Sequence, residues 1–273
     1  MNGASRAFAL LTDFGLADPY VGQLKAVLFS HAPSVPILDI THDVPPFSLP
    51  TGGGFLAASR PYYPAGTLFI CIVDPGVGSS RNLLCISGQK HILLGSDNGL
   101  LSLACRDMQQ EGTVTIHTVS SSPTGKATGI SPNTFHGRDI LAPIATSLAN
   151  GTPISALADM QITEIAMPTW SEATRSPDGI ICSVLHVDRF GNCILNLPNS
   201  DAQWLPSRLC LHLPLSGEAP ELQRASHYVA LPPGVLGIIP GGQGYHELAL
   251  ANDSAAKRLG LASGDVCHVR NGQ

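Results

Sequence analysis

Apolar residues follow two different rhythms along this chain. In the first half, short unbroken apolar runs alternate with stretches whose apolar positions recur at helical spacing. "AFALLT" (7–12) is a continuous run that predicts a buried strand delivering Asp13 at its end. "DPYVGQLKAVLFSH" then sets Val21, Leu24, Val27 and Leu28 on one helical face, with Asp18 expected as N-cap and Pro19 at the first helical position. "PILDI" (36–40) and "TLFICIVD" (67–74) predict two more strands, and "RNLLCIS" with "HILLGS" a further pair. "HGRDILAPIATSLANG" (136–151) predicts a second helix, with Ile140, Leu141, Ile144, Ala145 and Leu148 inward and Gly151 at its stop. Strands alternating with helices imply an α/β fold with a largely parallel sheet. Ligands of such sheets gather beyond the carboxyl ends of the strands, where Asp13 and Asp74 both fall. The stretch around 107–130 shows neither rhythm and is expected to be a loop-rich insert.

After about residue 170 the helical rhythm fades. "TWSEATRSPDG" is polar and punctuated, which predicts an N-terminal α/β domain over 1–168, a linker over 169–178 and a smaller all-β domain over 179–273. The second domain reads as short strands between turns: "IICSVLHVDRFGNCILNL", "RLCLHL", "HYVALPPGVLGIIP" and "GYHELALA". One short helix, "SAAKRLGL", is expected there, capped by Ser254 and closed by Gly260.

Composition narrows the class. Hydrophobic residues make up 44% of the 273 and charged ones 13%, with Gly 28 and Pro 22, which fits a globular protein with many tight turns and excludes a disordered one. No apolar run reaches membrane-spanning length, and "AFALLT" is too short for a secretory core, so neither a membrane segment nor a targeting signal is expected. A net charge of -5 without a Lys/Arg cluster argues against a nucleic-acid partner. The seven cysteines are odd in number, widely spread and without a C-x-x-C pair, which points to reduced thiols in a cytoplasmic setting rather than to a zinc or redox motif.

Five short segments carry candidate chemistry, each with a plain structural alternative. Asp13 in "TDFG" could accept two hydroxyls of a ribose diol, or cap the next turn. "ITHDVPP" brings His42 and Asp43 near Asp39, types that ligate metals, although a proline-fixed turn explains them as well. "VDPGVGSSR" presents Asp74 and Arg81 around a glycine turn but lacks the lysine of a phosphate loop; it offers an anion site or a structural salt bridge. "NTFHGRD" puts His136 at a helix N-terminus, where a neutral imidazole base is favoured; Asn133 or Thr134 as a simple cap is the alternative. "VDRFGN" offers a carboxylate, an aromatic face and a carboxamide in Asp188, Phe190 and Asn192, types suited to an amine, a stacked base and a base edge, or to a tight turn.

In order along the chain, "LLTDFGLADPYVGQLKAV", "DITHDVPP", "GTLFICIVDPGVGSSR", "SDNGLL", "SPNTFHGRDILAPIA", "VDRFGN" and "GYHELALA" resemble the S-adenosyl-L-methionine hydroxide adenosyltransferase family, relatives of the SAM-dependent fluorinase and chlorinase. The resemblance implies an N-terminal α/β domain, a C-terminal barrel-like domain, and a homotrimer with active sites between subunits. It implies hydrolysis of SAM to adenosine and methionine, with SAM as substrate and neither cofactor nor metal. By motif, Asp74, Arg81 and His136 would handle the nucleophilic water. Asp13 would hold the ribose diol and Phe47 cover the sugar; Asp188 would hold the methionine amine, with Phe190 and Asn192 at the adenine side. Three positions depart from the family pattern: Ser96 where members carry proline, "GGQG" (241–244) in place of a serine-containing stretch, and "NCILN" without an expected threonine.

In the halogenases a serine matches Gly137, and the positions matching Asp74 and His136 are neither acidic nor histidine. A carboxylate in a dry site repels halide but can accept a water proton, so "VDPGVG" and "FHGRD" point to water. A SAM-dependent halogenase, a SAM- or adenosine-binding protein without chemistry, and a metal-dependent phosphoester hydrolase using Asp13, Asp39, His42 and Asp74 are the alternatives.

Overall fold

The computed structural model describes residues 7–120, 134–205, 209–214, 217 and 219–272. The chain divides between Met167 and Pro168 into two units.

In the first unit, strand β1 (Phe8–Thr12) is buried at every residue. It lies between β2 (Ile37–Thr41) and β3 (Leu68–Ile72), and β3 pairs in turn with β5 (Ile92–Ser96), all in parallel. β4 (Leu83–Ser87) folds back antiparallel on β5, followed by β6 (Thr115–Val119) and β7 (Met160–Ile162), giving the order β2-β1-β3-β5-β4-β6-β7. The sheet is therefore mixed, with a parallel core. Successive side chains of a strand point to opposite faces, and both faces here are covered. Phe8, Leu10, Leu68 and Ile70 pack with Leu24 and Leu28 of α1 (Tyr20–His31) and Ile144 of α4 (Ala142–Ala149). Ala9, Leu11, Phe69 and Cys71 pack with Leu56 of α2 (Leu49–Ser59) and Met108 of α3 (Ser102–Glu111). Unbroken apolar strands follow from this two-sided burial.

Several local expectations change. Helix α1 starts at Tyr20 with Pro19 in the N-cap position, so Asp18 does not cap it. The helix expected from 136 opens instead with a π-helical turn over Gly137–Leu141 and runs on as α4 to an Asn150 C-cap, with Gly151 following at φ +91° as the expected stop. Helices α2 and α3 were not foreseen. Three successive glycines disfavour a helix by propensity, but Gly52 serves close packing: a Cβ there would lie 2.8 Å from Leu100 and 3.2 Å from Val73. Helix α3 and β6 occupy much of the stretch expected as an insert; its residues 121–130 lie outside those described.

The second unit is a closed barrel. β9 (Gly179–Val187) pairs antiparallel with β10 (Cys193–Pro198), and the ring continues through β14 (Tyr245–Leu250), β13 (Leu236–Pro240), β12 (Glu221–Arg224), β11 (Leu209–His212) and β15 (Val266–Asn271) back to β9. β8 (Thr174–Ser176) adds to the outer side of β9, so the stretch 169–178 carries a short strand as well as a turn at Thr169–Ser171. Leu195, Leu211, Ile238, Leu248 and Val269 fill the barrel. Helix α5 (Ala255–Leu259) is capped by Ser254, whose hydroxyl accepts from the Lys257 N–H, and is closed by Gly260 at φ +64°. Among the described residues no helix is long and apolar enough to cross a membrane. All seven cysteines are free thiols.

Candidate active site

Because β1, β3 and β5 run parallel, their carboxyl ends share one edge of the sheet. Asp13 follows β1, Asp74 stands two residues beyond β3, and Ser96 ends β5. These residues, with Phe47 and His136, border a cavity of about 420 Å³.

Asp74 organises that edge. Its Oδ1 accepts from Arg81 Nη2 at 2.6 Å and from the Gly76 N–H at 3.1 Å; its Oδ2 accepts from the Ser96 hydroxyl at 2.5 Å. The Gly76 contact is an Asx turn, the reason an aspartate suits the start of this loop. Arg81 lies directly across Gly76, where a Cβ would fall 2.0 Å from Nη2. The guanidinium is thus pinned by one nitrogen and keeps its other N–H donors for an anion or a developing negative oxygen. Both readings of this loop coexist: a salt bridge is present, and it presents a cation.

His136 stands on the opposite side of the sequence, at the start of the π-helical turn, and is partly buried. Its imidazole makes no hydrogen bond to another described residue. Asn133 lies outside the described residues. Gly137 next to it packs on Ile72, and a Cβ there would meet Ile72 Cδ1 at 2.4 Å. Phe14, Tyr20 and Phe135 form a mutual aromatic cluster with ring centroids 5.5–5.6 Å apart, giving the cavity an apolar wall.

Asp13 Oδ2 accepts from the Phe47 N–H at 2.9 Å, joining the two residues expected at a sugar. Phe47 adopts φ +67°, unusual for a non-glycine residue, and its side chain is 66% exposed. The neighbouring set is structural. His42 bonds Thr12 Oγ1 through Nδ1 at 2.8 Å and faces Asp39 through Nε2 at 3.1 Å, while Lys25 reaches Asp39 at 2.7 Å. Although partial burial pushes the other way, the hydrogen bonds from Lys25 and His42 hold the Asp39 carboxyl below its ordinary range. Among the described residues no three His, Cys, Asp or Glu side chains converge as a metal cage.

In the barrel unit, Asp188, Phe190 and Asn192 form the β9–β10 hairpin turn. Asp188 Oδ1 accepts from the N–H groups of Phe190 and Asn192, and Oδ2 from Asn192 Nδ2 at 2.9 Å. Gly191 at φ +88° makes the turn possible and abuts Ser254, leaving Phe190 79% exposed. The turn expected as an alternative is thus real, and its hydrogen bonds tie the Asp188 and Asn192 side chains to each other.

Three polar residues of these sites had no role in the sequence reading. Ser96 stood out only as a departure from a family proline. Glu247, inside the apolar run "GYHELALA", is a buried charge in a strand, a signal that could have drawn attention. Tyr228, whose hydroxyl donates to Glu247 Oε2, gave no signal.

The SAM hydroxide adenosyltransferase N-terminal domain model matches residues 8–158, and the C-terminal domain model matches residues 182–268. An (R)-S-adenosyl-L-methionine hydrolase of Thermus thermophilus is 33% identical over 95% of this chain and 97% of its own. A fluorinase of an Actinoplanes species is 25% identical, over 71% of this chain and 72% of its own. The crystal structure of a conserved protein from Thermotoga maritima superposes with a TM-score of 0.82 at 27% identity, covering 96% of this chain and 99% of that one.

Proposed function

This chain belongs to the SAM hydroxide adenosyltransferase family, and from that premise we propose that it hydrolyses S-adenosyl-L-methionine to adenosine and L-methionine at the Asp74–Arg81–His136 edge. The observation that carries this reading is the triply held Asp74 carboxylate, which holds Arg81 and borders one cavity together with His136.

The sulfonium needs no acid, since its leaving group is a neutral thioether. Water oxygen bonds to C5′ as the C5′–S bond breaks and its electron pair passes to sulfur. The remaining task is to take a proton from that water. Asp74 already accepts from Arg81, Gly76 and Ser96, so its part is to anchor the guanidinium. The His136 imidazole, free of hydrogen bonds to other described residues, takes the proton. Positioned base catalysis contributes on the order of 10²–10⁴ in rate, and alignment of water, carbon and sulfur contributes on a comparable scale or more. Asp13 and Phe47 receive the ribose; Asp188, Phe190 and Asn192 receive the methionine amine and the adenine.

Gly137 favours the hydrolase over the halogenase reading. A serine there would drive its Cβ into Ile72. The homotrimer rests on the family likeness, and free thiols fit a cytoplasmic protein.

The decisive experiment incubates purified protein with SAM in ¹⁸O-water. Adenosine carrying the label, with unlabelled methionine, is expected, and His136→Ala should cut turnover at least about 100-fold. Unlabelled adenosine would exclude attack at C5′. Release of 5′-halo-adenosine in chloride or fluoride would move the protein to the halogenases, and SAM binding without turnover would make it a sensor.

A further inference from the structure

Glu247 on β14 is 4% exposed. Its carboxylate joins two turns of the barrel. Oε2 accepts from the Tyr228 hydroxyl, and the backbone N–H of Gly242 also donates to the carboxylate. Gly241 gives it room, since a Cβ there would sit 2.0 Å from Oε1. Burial, together with the Glu247 contact, pushes the Tyr228 phenol well up, which keeps it a proton donor towards Glu247.

With its proton directed at Glu247, the Tyr228 oxygen is left to accept, and Asn192 Nδ2 approaches it at 3.4 Å. The same Nδ2 donates to Asp188 Oδ2 at 2.9 Å. A carboxylate only accepts, so the orientation of the Asn192 amide is fixed by chemistry, and both of its N–H bonds are engaged. What Asn192 can still offer a ligand is the carbonyl Oδ1, an acceptor.

We infer that Tyr228 and Glu247 form a relay that orients the Asn192 amide so that the site selects a purine with an exocyclic amino group over one with an oxo group at that position. An amine donates to Oδ1, whereas an oxo group would set two acceptors face to face. This rests on the proposed placing of the adenine at Asn192. Tyr228 and Glu247 are positioning residues: neither needs to touch the reacting atoms. Without the hydroxyl of Tyr228, one N–H of Asn192 loses its acceptor and becomes available to an oxo group.

The test is a calorimetric titration of adenosine and inosine into wild type and Tyr228→Phe, run beside a SAM-cleavage assay. Tyr228 is 43% exposed and the substitution removes one oxygen, so the ring packing is retained. Wild type is expected to prefer adenosine, and Tyr228→Phe to lose about tenfold of that preference, the scale of one hydrogen bond, with inosine affinity rising. A variant that weakens both nucleosides equally, or a wild type without preference or without affinity for either, would overturn the relay. Absence of SAM cleavage by a wild type that still prefers adenosine would instead overturn the hydrolase reading and leave the relay standing.

Discussion

At the scale of single residues, the edge of the first sheet depends on contacts a few ångströms long. Gly76 has no side chain because Arg81 occupies that space. Gly76→Ala must push the guanidinium off Asp74, and a displacement of about 1 Å at a reacting centre costs on the order of 100-fold in rate. We therefore expect kcat to fall by about that factor in Gly76→Ala. Ser96→Ala, which removes one of three donors to Asp74, should cost less, about tenfold. Steady-state kinetics on the two variants checks the ranking, and equal activity in both would sever Asp74 from the proposed chemistry. Asp13, Asp74, Arg81 and His136 were legible in the sequence because strand ends and glycine turns announce where side chains gather. Ser96 was not, because its partner stands far away in the chain, and only the pairing of β5 with β3 joins them.

At the scale of elements, the long apolar strands were legible, whereas β6, β7, β8, β12, β15 and two helices were not. β1 and β3 are apolar throughout because both faces are covered, a pattern that local reading recovers. Helix α2 contradicts its own propensities: glycine favours coil by about 1 kcal/mol per residue relative to alanine, yet close approach to Leu100 and Val73 overrides that preference. Such compensation is tertiary and leaves no periodic trace. The barrel strands carry a different liability. Burial lowers the pKa of His186 on β9 to about 4, and burial lowers that of His246 on β14 as well. Both are held neutral in the fold and take up a proton when unfolded. The stabilising contribution of His186 is full above the ordinary histidine value and is lost as pH falls from about 6.5 towards 4, on the order of 3 kcal/mol, and His246 acts in the same direction. Both tryptophans, Trp170 and Trp204, belong to the second unit, so their fluorescence reports its unfolding. The urea midpoint of that signal should drop between pH 7 and pH 5, and His186→Gln should flatten the slope whatever it does to the midpoint itself. A wild-type midpoint indifferent to pH over that range would contradict the buried neutral state.

At the scale of the whole molecule, two cores of different construction share one chain, an open mixed sheet and a closed ring of strands. The proposed homotrimer is checked by light scattering at micromolar concentration, where three chain masses are expected and a single chain mass would remove the subunit-interface reading. The division falls between Met167 and Pro168, just before the polar segment that starts at Thr169; ring closure was not visible, because no local pattern tells which strand the last one joins. That closure has a consequence for synthesis. β15, the last of the ring strands to leave the ribosome, fits between β9, the first, and β11. Until it emerges, those two strands keep unpaired edges that invite a wrong neighbour, so the second unit completes itself only after translation has passed residue 271, and a message cut short before Val266 yields a barrel with an open seam.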